Sequence, residues 1–187
     1  MLLSNASLPL PLNKEGKEMN YVGRFAPSPT GPLHFGSLIT AVASYCEARA
    51  QQGSWLVRIE DTDIPRIYPG SEEHILRAID AFEFDPDREI IFQKDRLDIY
   101  EDVIQQLHAQ GLVYACQCTR KMLGSNHIYQ GTCRDLQLDL AHQAIRVKVA
   151  DQIIQFTDPI QGHHQSNLKF DLGDFVLKRR DRKSTRL

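Results

Sequence analysis

The first patterned part of the chain alternates strand-forming segments with one segment of helical periodicity. NYVGRFA, residues 20–26, predicts a short strand that enters a proline-rich loop. From His34 to Gly53 apolar residues recur at helical spacing, and SWLVRIED, residues 54–61, then predicts a second strand. The apolar positions of this helix are Leu38, Ile39, Val42, Tyr45 and Cys46. Strand, helix and strand in this order predict a βαβ unit with a parallel sheet.

Two further helical segments follow, separated by a short strand-forming segment. SEEHILRAIDAF, residues 71–82, has acidic residues in its first turn, and Ser71 is its predicted cap. The predicted core positions of this helix are Ile75, Ile79 and Phe82. EIIFQ, residues 89–93, predicts a strand, and residues 94–111 predict a helix that ends at Gly111. The apolar stripe of this second helix is Leu97, Tyr100, Ile104 and Leu107.

The last part of the chain combines an aperiodic segment with short strands. Residues 113–135 follow neither the helical nor the strand period. AIRVKV, residues 144–149, alternates like a half-exposed strand, and IIQFTD, residues 153–158, is its predicted partner. DFVLKR, residues 174–179, predicts a buried strand. Because the sequence stops within eight residues of this strand, we expect the chain to be a fragment.

Composition and charge exclude some classes of protein. The 187 residues carry a formal net charge of −2, which argues against nucleic-acid binding over the whole surface but leaves a local basic patch open. No apolar run approaches the length of a membrane span. Residues 1–18 lack a basic start, and Pro9 and Pro11 interrupt their apolar residues, so we predict a disordered leader rather than a secretory signal.

Three of the four cysteines lie close together in the aperiodic segment. Cys116, Cys118 and Cys133 form a C-x-C-x10-Y-x3-C pattern, and without an export signal this spacing favours a zinc site over disulfides. The fourth ligand is open, and His127 is the chemically usual candidate. Cys46 lies in the apolar pattern of the first helix, which predicts a small buried side chain.

The proline-rich loop contains residue types that suit an anionic ligand. Arg24 ends the first strand and offers a planar fork for a carboxylate. His34 and Gly36 lie at the start of the first helix, where free N–H groups and the helix dipole attract phosphate. Pro27 and Pro29 stiffen the loop before a ligand arrives. The alternative is a proline-rich turn with a solvent-facing histidine.

Two motifs in this region resemble a known family. RFAPSPTGPLHFGS, residues 24–37, and RIEDTDIPR, residues 58–66, are similar to the nucleotide-binding half of class I glutamyl-tRNA synthetases, and the first contains that family's HIGH signature. The resemblance extends from about residue 20 to about residue 180. It implies an α/β fold: the first half of a Rossmann-type class I aminoacyl-tRNA synthetase catalytic domain with a small zinc-binding insert. The implied reaction is activation of glutamate by ATP, with magnesium accompanying the nucleotide.

The resemblance also implies a role for each residue that matches the family motifs. Arg24 is expected to bind the side-chain carboxylate of glutamate, and Glu60 its ammonium group. The remaining residues of the implied glutamate pocket are Phe25, Ala26, Pro27 and Ser28. The implied ATP-binding residues are Pro27, His34, Gly36 and Ser37, and the implied catalytic residues are His34 and Gly36, which serve the phosphates and the adenosine of ATP. Ser37 departs from the full signature, which has a second histidine there. We expect Asp61 and Asp63 to cap turns or to pair with Arg66.

The cysteine pattern and the HFGSL segment are similar to a smaller branch, the glutamyl-Q tRNA(Asp) synthetases. In that branch Cys, Cys, Tyr and Cys bind zinc, which implies Tyr129 as the fourth ligand, with His127 as its rival. The implied reaction transfers activated glutamate to queuosine in the anticodon of tRNA(Asp). We expect a cytoplasmic monomer without membrane contact.

The resemblance divides the chain into four parts. They are the leader 1–18, the first half of the nucleotide-binding domain 19–113, a zinc-binding insert 114–172, and the start of the second half 173–187. Because a lysine-serine loop is missing, we expect weak or no activity from the chain itself. Two alternatives are the amino-terminal part of an ordinary glutamyl-tRNA synthetase that charges tRNA(Glu), and a non-catalytic zinc- or tRNA-binding module.

Overall fold

The computed structural model describes residues 21–123, 128–129, 131–158 and 160–180. The predicted leader, the candidate ligand His127 and the end of the tail lie outside these described residues. The chain divides into two compact units, one ending at Arg96 and the other beginning at Leu97. Each unit has its own sheet and its own buried core.

The first unit is a parallel sheet with helical crossovers. Its elements are β1 (Val22–Phe25), α1 (Phe35–Ala50), β2 (Ser54–Ile59), α2 (Ser71–Ala81) and β3 (Ile91–Phe92). The strands lie in the order β1-β2-β3, and both pairs are parallel. The predicted βαβ unit is therefore confirmed.

One face of this sheet forms the core of the first unit. Phe25, Trp55 and Ile59 are buried there, and the indole N–H of Trp55 donates to Ser44 Oγ on α1 at 2.9 Å. Arg24 is paired in register with Leu56, so the alternation of side chains places it on the opposite face. The strands thus separate an apolar face, which packs on α1, from a face that contains charged side chains.

Helix α1 packs on the sheet through its small residues, and this corrects one prediction. Ala41 and Ala48 are buried, whereas Ile39 and Val42 are exposed, and Cys46, predicted as buried, is exposed as well. The cause is the close approach of α1 to β1: a Cβ added at Gly23 would lie 2.8 Å from the carbonyl oxygen of Ser44. At this separation only small residues fit between helix and strand, so the larger apolar ones lie on other faces.

Helix α2 begins differently from the prediction. Gly70, with φ 81°, is the N-cap, whereas Ser71 is fully buried inside the first turn and its side chain does not cap the helix. Ile75 and Ile79 are buried as predicted. Phe82 was predicted to point inward, but it follows the last helical residue, is 51% exposed and stacks on the ring of Phe84. The helix ends before its third predicted core position.

The second unit is built around an antiparallel sheet. Its elements are α3 (Leu97–Ala109), β4 (Val113–Cys116), α4 (Arg120–Leu123), β5 (Ala144–Val147), β6 (Ile153–Asp158), β7 (Gly162–Asn167) and β8 (Val176–Lys178). The sheet order is β4-β5-β8, and β6 and β7 form a separate two-stranded sheet. Tyr100 and Ile104 of α3 are buried as predicted, whereas Leu97 is 43% exposed.

The predicted pairing of residues 144–149 with residues 153–158 is wrong. Strand β5 lies between β4 and β8, and β6 pairs with β7. The backbone explains the difference: directly after β5, the N–H of Lys148 donates to Leu112 O, and the N–H of Val149 donates to the carboxylate of Asp174, both at 2.8 Å. These bonds direct the chain away from the β5 edge before β6 begins.

Candidate functional site

The proline-rich loop and the first turns of α1 enclose a cavity of about 410 Å³ in the first unit. Its lining residues are Phe25, Ala26, Pro27, Ser28, Thr30, Gly31, Pro32, Leu33, His34, Ser37 and Thr40. The structure therefore brings together six of the sequence-predicted site residues. Of these lining residues, Pro27 is buried in the protein, whereas the polar Ser28 is exposed to solvent.

His34 caps α1 with its own imidazole ring. Its Nδ1 accepts a hydrogen bond from the backbone N–H of Ser37 at 3.1 Å, and its Nε2 lies 3.1 Å from Ser37 Oγ. A backbone N–H can only donate, so Nδ1 is the acceptor and a neutral His34 has its proton on Nε2. This arrangement satisfies one of the free N–H groups of the helix start, and the proton on Nε2 faces Ser37 Oγ.

Gly36 lies close beneath this ring. A Cβ at residue 36 would lie 3.1 Å from Cε1 and 3.2 Å from Nδ1 of His34, closer than most side chains approach. The histidine can fold back over the first helical turn because residue 36 has no side chain. The Gly–His pair in the motif is thus one local structure rather than two independent residues.

Arg24 and Glu60 are absent from the cavity lining but adjoin it. Arg24 is exposed and precedes the lining residue Phe25. The N–H of Glu60 donates to the carbonyl oxygen of Pro27 at 2.9 Å, which ties the end of β2 to the cavity wall. Its Oε1 accepts from Arg58 at 2.6 Å. The carboxylate is therefore held at one oxygen, and its side chain is 33% exposed.

The acidic residues after Glu60 have structural partners. Asp61 is 1% exposed, and its Oδ1 accepts from the backbone N–H of Lys94 at 2.8 Å, while Oδ2 lies 3.1 Å from Lys94 Nζ. These contacts join the end of β2 to the segment after β3. The bond to Asp61 also raises the pKa of Lys94, despite partial burial of the ammonium group. Asp63 pairs with Arg66 as predicted.

Three cysteines and one tyrosine meet in the second unit. The Sγ atoms of Cys116, Cys118 and Cys133 all lie within 4.8 Å of one another. The hydroxyl oxygen of Tyr129 lies 3.4 Å from Cys116 Sγ and 3.5 Å from Cys118 Sγ. Cys116, Cys133 and Tyr129 are buried, and burial with hydrogen bonds to the thiols raises the pKa of the Tyr129 phenol in the absence of a metal.

The spacing of these four atoms fits a tetrahedral metal ion. With zinc–sulfur bonds of about 2.3 Å, sulfur atoms in a tetrahedron lie about 3.8 Å apart, and a sulfur and an oxygen ligand lie about 3.5 Å apart. The observed separations are 3.5 Å between Cys118 Sγ and Cys133 Sγ, 3.4 Å between Tyr129 Oη and Cys116 Sγ, and 3.5 Å between Tyr129 Oη and Cys118 Sγ. The donor set of three thiols and a phenol therefore suits zinc.

Two residues beside this cluster were missed by sequence reasoning. Arg146 on β5 donates through Nε to Cys116 Sγ at 3.3 Å, and its guanidinium lies 3.8 Å from the centroid of the Tyr129 ring. Asp174 accepts from Arg134, from the hydroxyl of Tyr114 at 2.6 Å and from backbone N–H. The alternation of residues 144–149, AIRVKV, places Arg146 on one face of a strand, but it does not show which face is buried.

The fold and the site define the class of the protein. Residues 21–185 match the family described as tRNA synthetases class I (E and Q), catalytic domain, and the chain belongs to this family. The predicted resemblance is confirmed, because the sequence is 76% identical over 161 residues to Glutamyl-Q tRNA(Asp) synthetase of Acinetobacter baylyi. It is 48% identical over 163 residues to the protein of the same name from Pseudomonas putida strain GB-1.

These alignments cover most of this chain and part of each relative. The Acinetobacter alignment covers 86% of this chain and 55% of the relative, and the Pseudomonas alignment covers 87% and 55%. The chain thus spans about half the length of the curated relatives it matches. Its relatives are enzymes of the aminoacyl-tRNA synthetase type, which confirms the predicted class of ligase.

Solved structures give the same assignment. The glutamate tRNA ligase from Elizabethkingia meningosepticum, crystallised in complex with its amino acid, matches with a TM-score of 0.72 and 31% identity. That alignment covers 88% of this chain and 39% of the ligase. Glutamate-tRNA synthetase from Elizabethkingia anophelis matches equally well, with 40% of its chain covered. Within the described residues, no helix is long and apolar enough to cross a bilayer.

Proposed function

We propose that this chain supplies the glutamate- and ATP-binding part of an enzyme that makes glutamyl-adenylate and transfers the glutamate to queuosine in the anticodon of tRNA(Asp). The observation that carries the proposal is the cavity around the loop of residues 24–37, which gathers the motif residues at the start of α1. The 76% identity to the Acinetobacter enzyme supports the choice of substrate. The enzyme works as a cytoplasmic monomer.

Glutamate is bound by two opposite charges next to the cavity. Arg24 forms no ion pair with any carboxylate of the described residues, so its fork is open to the side-chain carboxylate of the substrate. Glu60 offers the ammonium group of glutamate the carboxylate oxygen that Arg58 does not engage. Phe25, Ala26, Pro27 and Ser28 line the adjoining cavity.

ATP is bound at the start of α1. The free N–H groups and positive dipole end of this 16-residue helix suit the triphosphate, which magnesium accompanies. The Nε2–H of His34, which faces Ser37 Oγ in this structure, is the donor for a phosphate oxygen, and the backbone N–H of Ser37 sets that tautomer of the ring. Gly36 leaves room for the ring. Catalysis is positioning of the glutamate carboxylate against the α-phosphate, with stabilisation of the charge that develops there.

A zinc ion holds the cysteine cluster in shape. Cys116, Cys118, Tyr129 and Cys133 supply four ligands, which leaves no open position for catalysis. The ion joins Cys116 at the end of β4 to Tyr129 and Cys133 in the segment that follows, and so stabilises the second unit. Its contribution is structural, and the adenylate chemistry does not pass through it.

Binding of a non-hydrolysable glutamyl-adenylate analogue tests the proposal. We expect saturable binding by calorimetry, weakened at least about tenfold in Arg24→Met, because a charge-assisted hydrogen bond contributes about 1.5–3 kcal/mol. Arg77→Met removes an equal charge from an exposed pair with Glu73 on α2 and serves as the matched control. Equal affinity of Arg24→Met and the unchanged chain, or equal binding of an aspartyl analogue, contradicts the proposed glutamate site.

The 31% identity to glutamate tRNA ligases favours a second candidate, the charging of tRNA(Glu). The two candidates differ in the acceptor. Esterification assays with radioactive glutamate, tRNA(Asp) containing queuosine and tRNA(Glu) separate them, with the chain extended by the remainder of the Acinetobacter relative. Label on tRNA(Asp) that depends on queuosine supports the first candidate, and label on the 3′ end of tRNA(Glu) supports the second.

A further inference from the structure

Arg146 carries a buried positive charge without a carboxylate partner. The residue is 7% exposed and lies on the central strand β5. Its hydrogen bonds run to the carbonyl oxygen of Asp174 at 2.5 Å and to Cys116 Sγ at 3.3 Å. Within the described part of the chain, no carboxylate forms an ion pair with this guanidinium.

The nearest buried carboxylate is already occupied. Both oxygens of Asp174 accept from Arg134, at 2.5 and 3.0 Å, and they also accept from the hydroxyl of Tyr114 and the N–H of Val149. Its contact with Arg146 is through the neutral backbone carbonyl only. Asp174 therefore balances Arg134, and the charge of Arg146 needs another source of compensation.

A buried cation is costly unless an anion lies close to it. Among the described residues, the guanidinium donates to the side chain of Cys116 and stacks on the ring of Tyr129, and both residues belong to the candidate zinc site. Three thiolates and a phenolate around a dication have a formal charge of about −2 (four negative charges against two positive). The guanidinium therefore lies in contact with a ligand set whose charge is opposite to its own when the metal is bound.

We propose that Arg146 balances the charge of a Cys3Tyr zinc site and holds Cys116 and Tyr129 in position to bind the ion. This inference rests on the zinc site of the proposed function. Arg146 is a positioning residue, because it touches two ligands and not the ion. Its planar group stacks on the Tyr129 ring while Nε points at the sulfur, a combination that the single ammonium of lysine does not reproduce.

Metal binding by the whole chain tests this role. Zinc affinity is measured by competition with a chromophoric chelator, and cobalt(II) is used as a spectroscopic probe of thiolate ligation and tetrahedral geometry. We expect Arg146→Met to lower zinc affinity about 10- to 100-fold, the range found when groups that orient metal ligands are removed. Arg146→Lys keeps the charge and loses the stack, so we expect an intermediate affinity with shifted cobalt ligand-field bands.

Two further variants separate positioning from a general effect of charge or folding. Lys148→Met removes a cation just beyond the same strand, and we expect its zinc affinity and cobalt spectrum to match those of the unchanged chain. In a Tyr129→Leu background, which lacks the aromatic ring, we expect the effect of Arg146→Met to shrink, because the stacking contact of Arg146 is already gone. If Arg146→Met does not fold, Arg146→Lys carries the same comparison.

The outcomes separate this inference from the zinc site itself. If the unchanged chain takes up no zinc, the zinc site fails and the inference fails with it. If the chain binds zinc but Arg146→Met and Arg146→Lys keep its affinity and cobalt spectrum, the role of Arg146 alone is overturned. An equal loss of zinc affinity in Lys148→Met and Arg146→Met also overturns it, because any positive charge near the strand would then support zinc binding equally well.

Discussion

At the scale of single residues, the candidate site depends on close contacts that a motif does not display. His34 binds the first turn of its own helix through both ring nitrogens, and Gly36 makes room for it. Arg58 holds one oxygen of Glu60, which the motif residues alone did not indicate. These contacts fix the orientation of side chains that the sequence identified only by type.

Replacing Gly36 by alanine should separate ligand binding from stability. The added Cβ displaces His34 and removes a cap worth about 1 kcal/mol, while alanine gains about 1 kcal/mol of helix propensity. We expect a change below about 1 kcal/mol in the free energy of unfolding, measured in urea, and an ATP affinity about tenfold lower by calorimetry. His34→Asn keeps a capping side chain and should also bind ATP weakly. Unchanged ATP affinity in Gly36→Ala would refute the role of this pair.

Asp174 should make the second unit sensitive to acid. Burial opposes ionisation of this carboxyl, but hydrogen bonds from Arg134, Tyr114 and Val149 outweigh it and lower its pKa. A lowered folded-state pKa stabilises the protein fully above the unfolded pKa of about 3.9, and this stability is lost as the pH falls through the folded-state pKa.

Thermal unfolding between about pH 7 and about pH 2 measures this effect. We expect Asp174→Asn to lower Tm at neutral pH, because Arg134 loses its partner, and to flatten the fall of Tm in acid. Asp102→Asn, at an exposed position of α3, should keep both the Tm and the acid slope. An acid slope that stays steep in Asp174→Asn assigns the acid sensitivity to other carboxyl groups.

At the scale of elements, periodicity predicted most helices and strands but not their faces. The buried face of α1 was predicted from its large apolar residues. In the structure α1 lies so close to β1 that the small residues Ala41 and Ala48 are the buried ones. Strand β6 was assigned to the nearest strand in sequence, whereas hydrogen bonds after β5 lead the chain elsewhere. In both cases a contact with a distant part of the chain decided between local alternatives.

The turn between α1 and β2 should tolerate no side chain at Gly53. A Cβ there would lie 2.3 Å from the carbonyl oxygen of Tyr21, so the backbone of β1 or β2 must move. We expect Gly53→Ala to lower the free energy of unfolding by about 3 kcal/mol, at the upper end of overpacking effects. Gly111→Ala is the matched control: residue 111 has φ 70° but nothing within 4 Å of its Cβ, so we expect a loss of about 1–2 kcal/mol. Equal losses in both variants, measured in urea, contradict this ranking.

At the scale of the whole molecule, the chain has two compact units and about half the length of its curated relatives. The predicted domain boundaries at residues 113 and 172 stay a prediction. Sheet β1-β2-β3 has β1 at one edge, and the charged face of this sheet includes Arg24. Under the proposed function, the described residues contact the phosphates of ATP from the start of α1, which leaves the stabilisation of the developing charge to be completed by further groups.

Extending the chain should therefore raise its activity. We expect glutamate-dependent ATP–pyrophosphate exchange by the 187-residue chain to be weak, and exchange by a fusion with the remainder of the Acinetobacter relative to be at least about a hundredfold faster. Arg24→Met in the fusion should abolish most of the gain, whereas Arg77→Met should keep it. A rate for the chain alone that equals the rate of the fusion contradicts this expectation.

The sequence by itself determined the family, the parallel βαβ unit and the residue types of both candidate sites. Motifs and periodic patterns are formed by residues that are close together in the sequence, so they can be recognised without a structure. Only the tertiary structure decided that Cys46 is exposed, that β6 pairs with β7 and that Arg146 lies against the cysteine cluster. The physical reason is that burial, strand partners and charge compensation arise from contacts between residues far apart in the chain. Local patterns constrain such contacts without selecting among them.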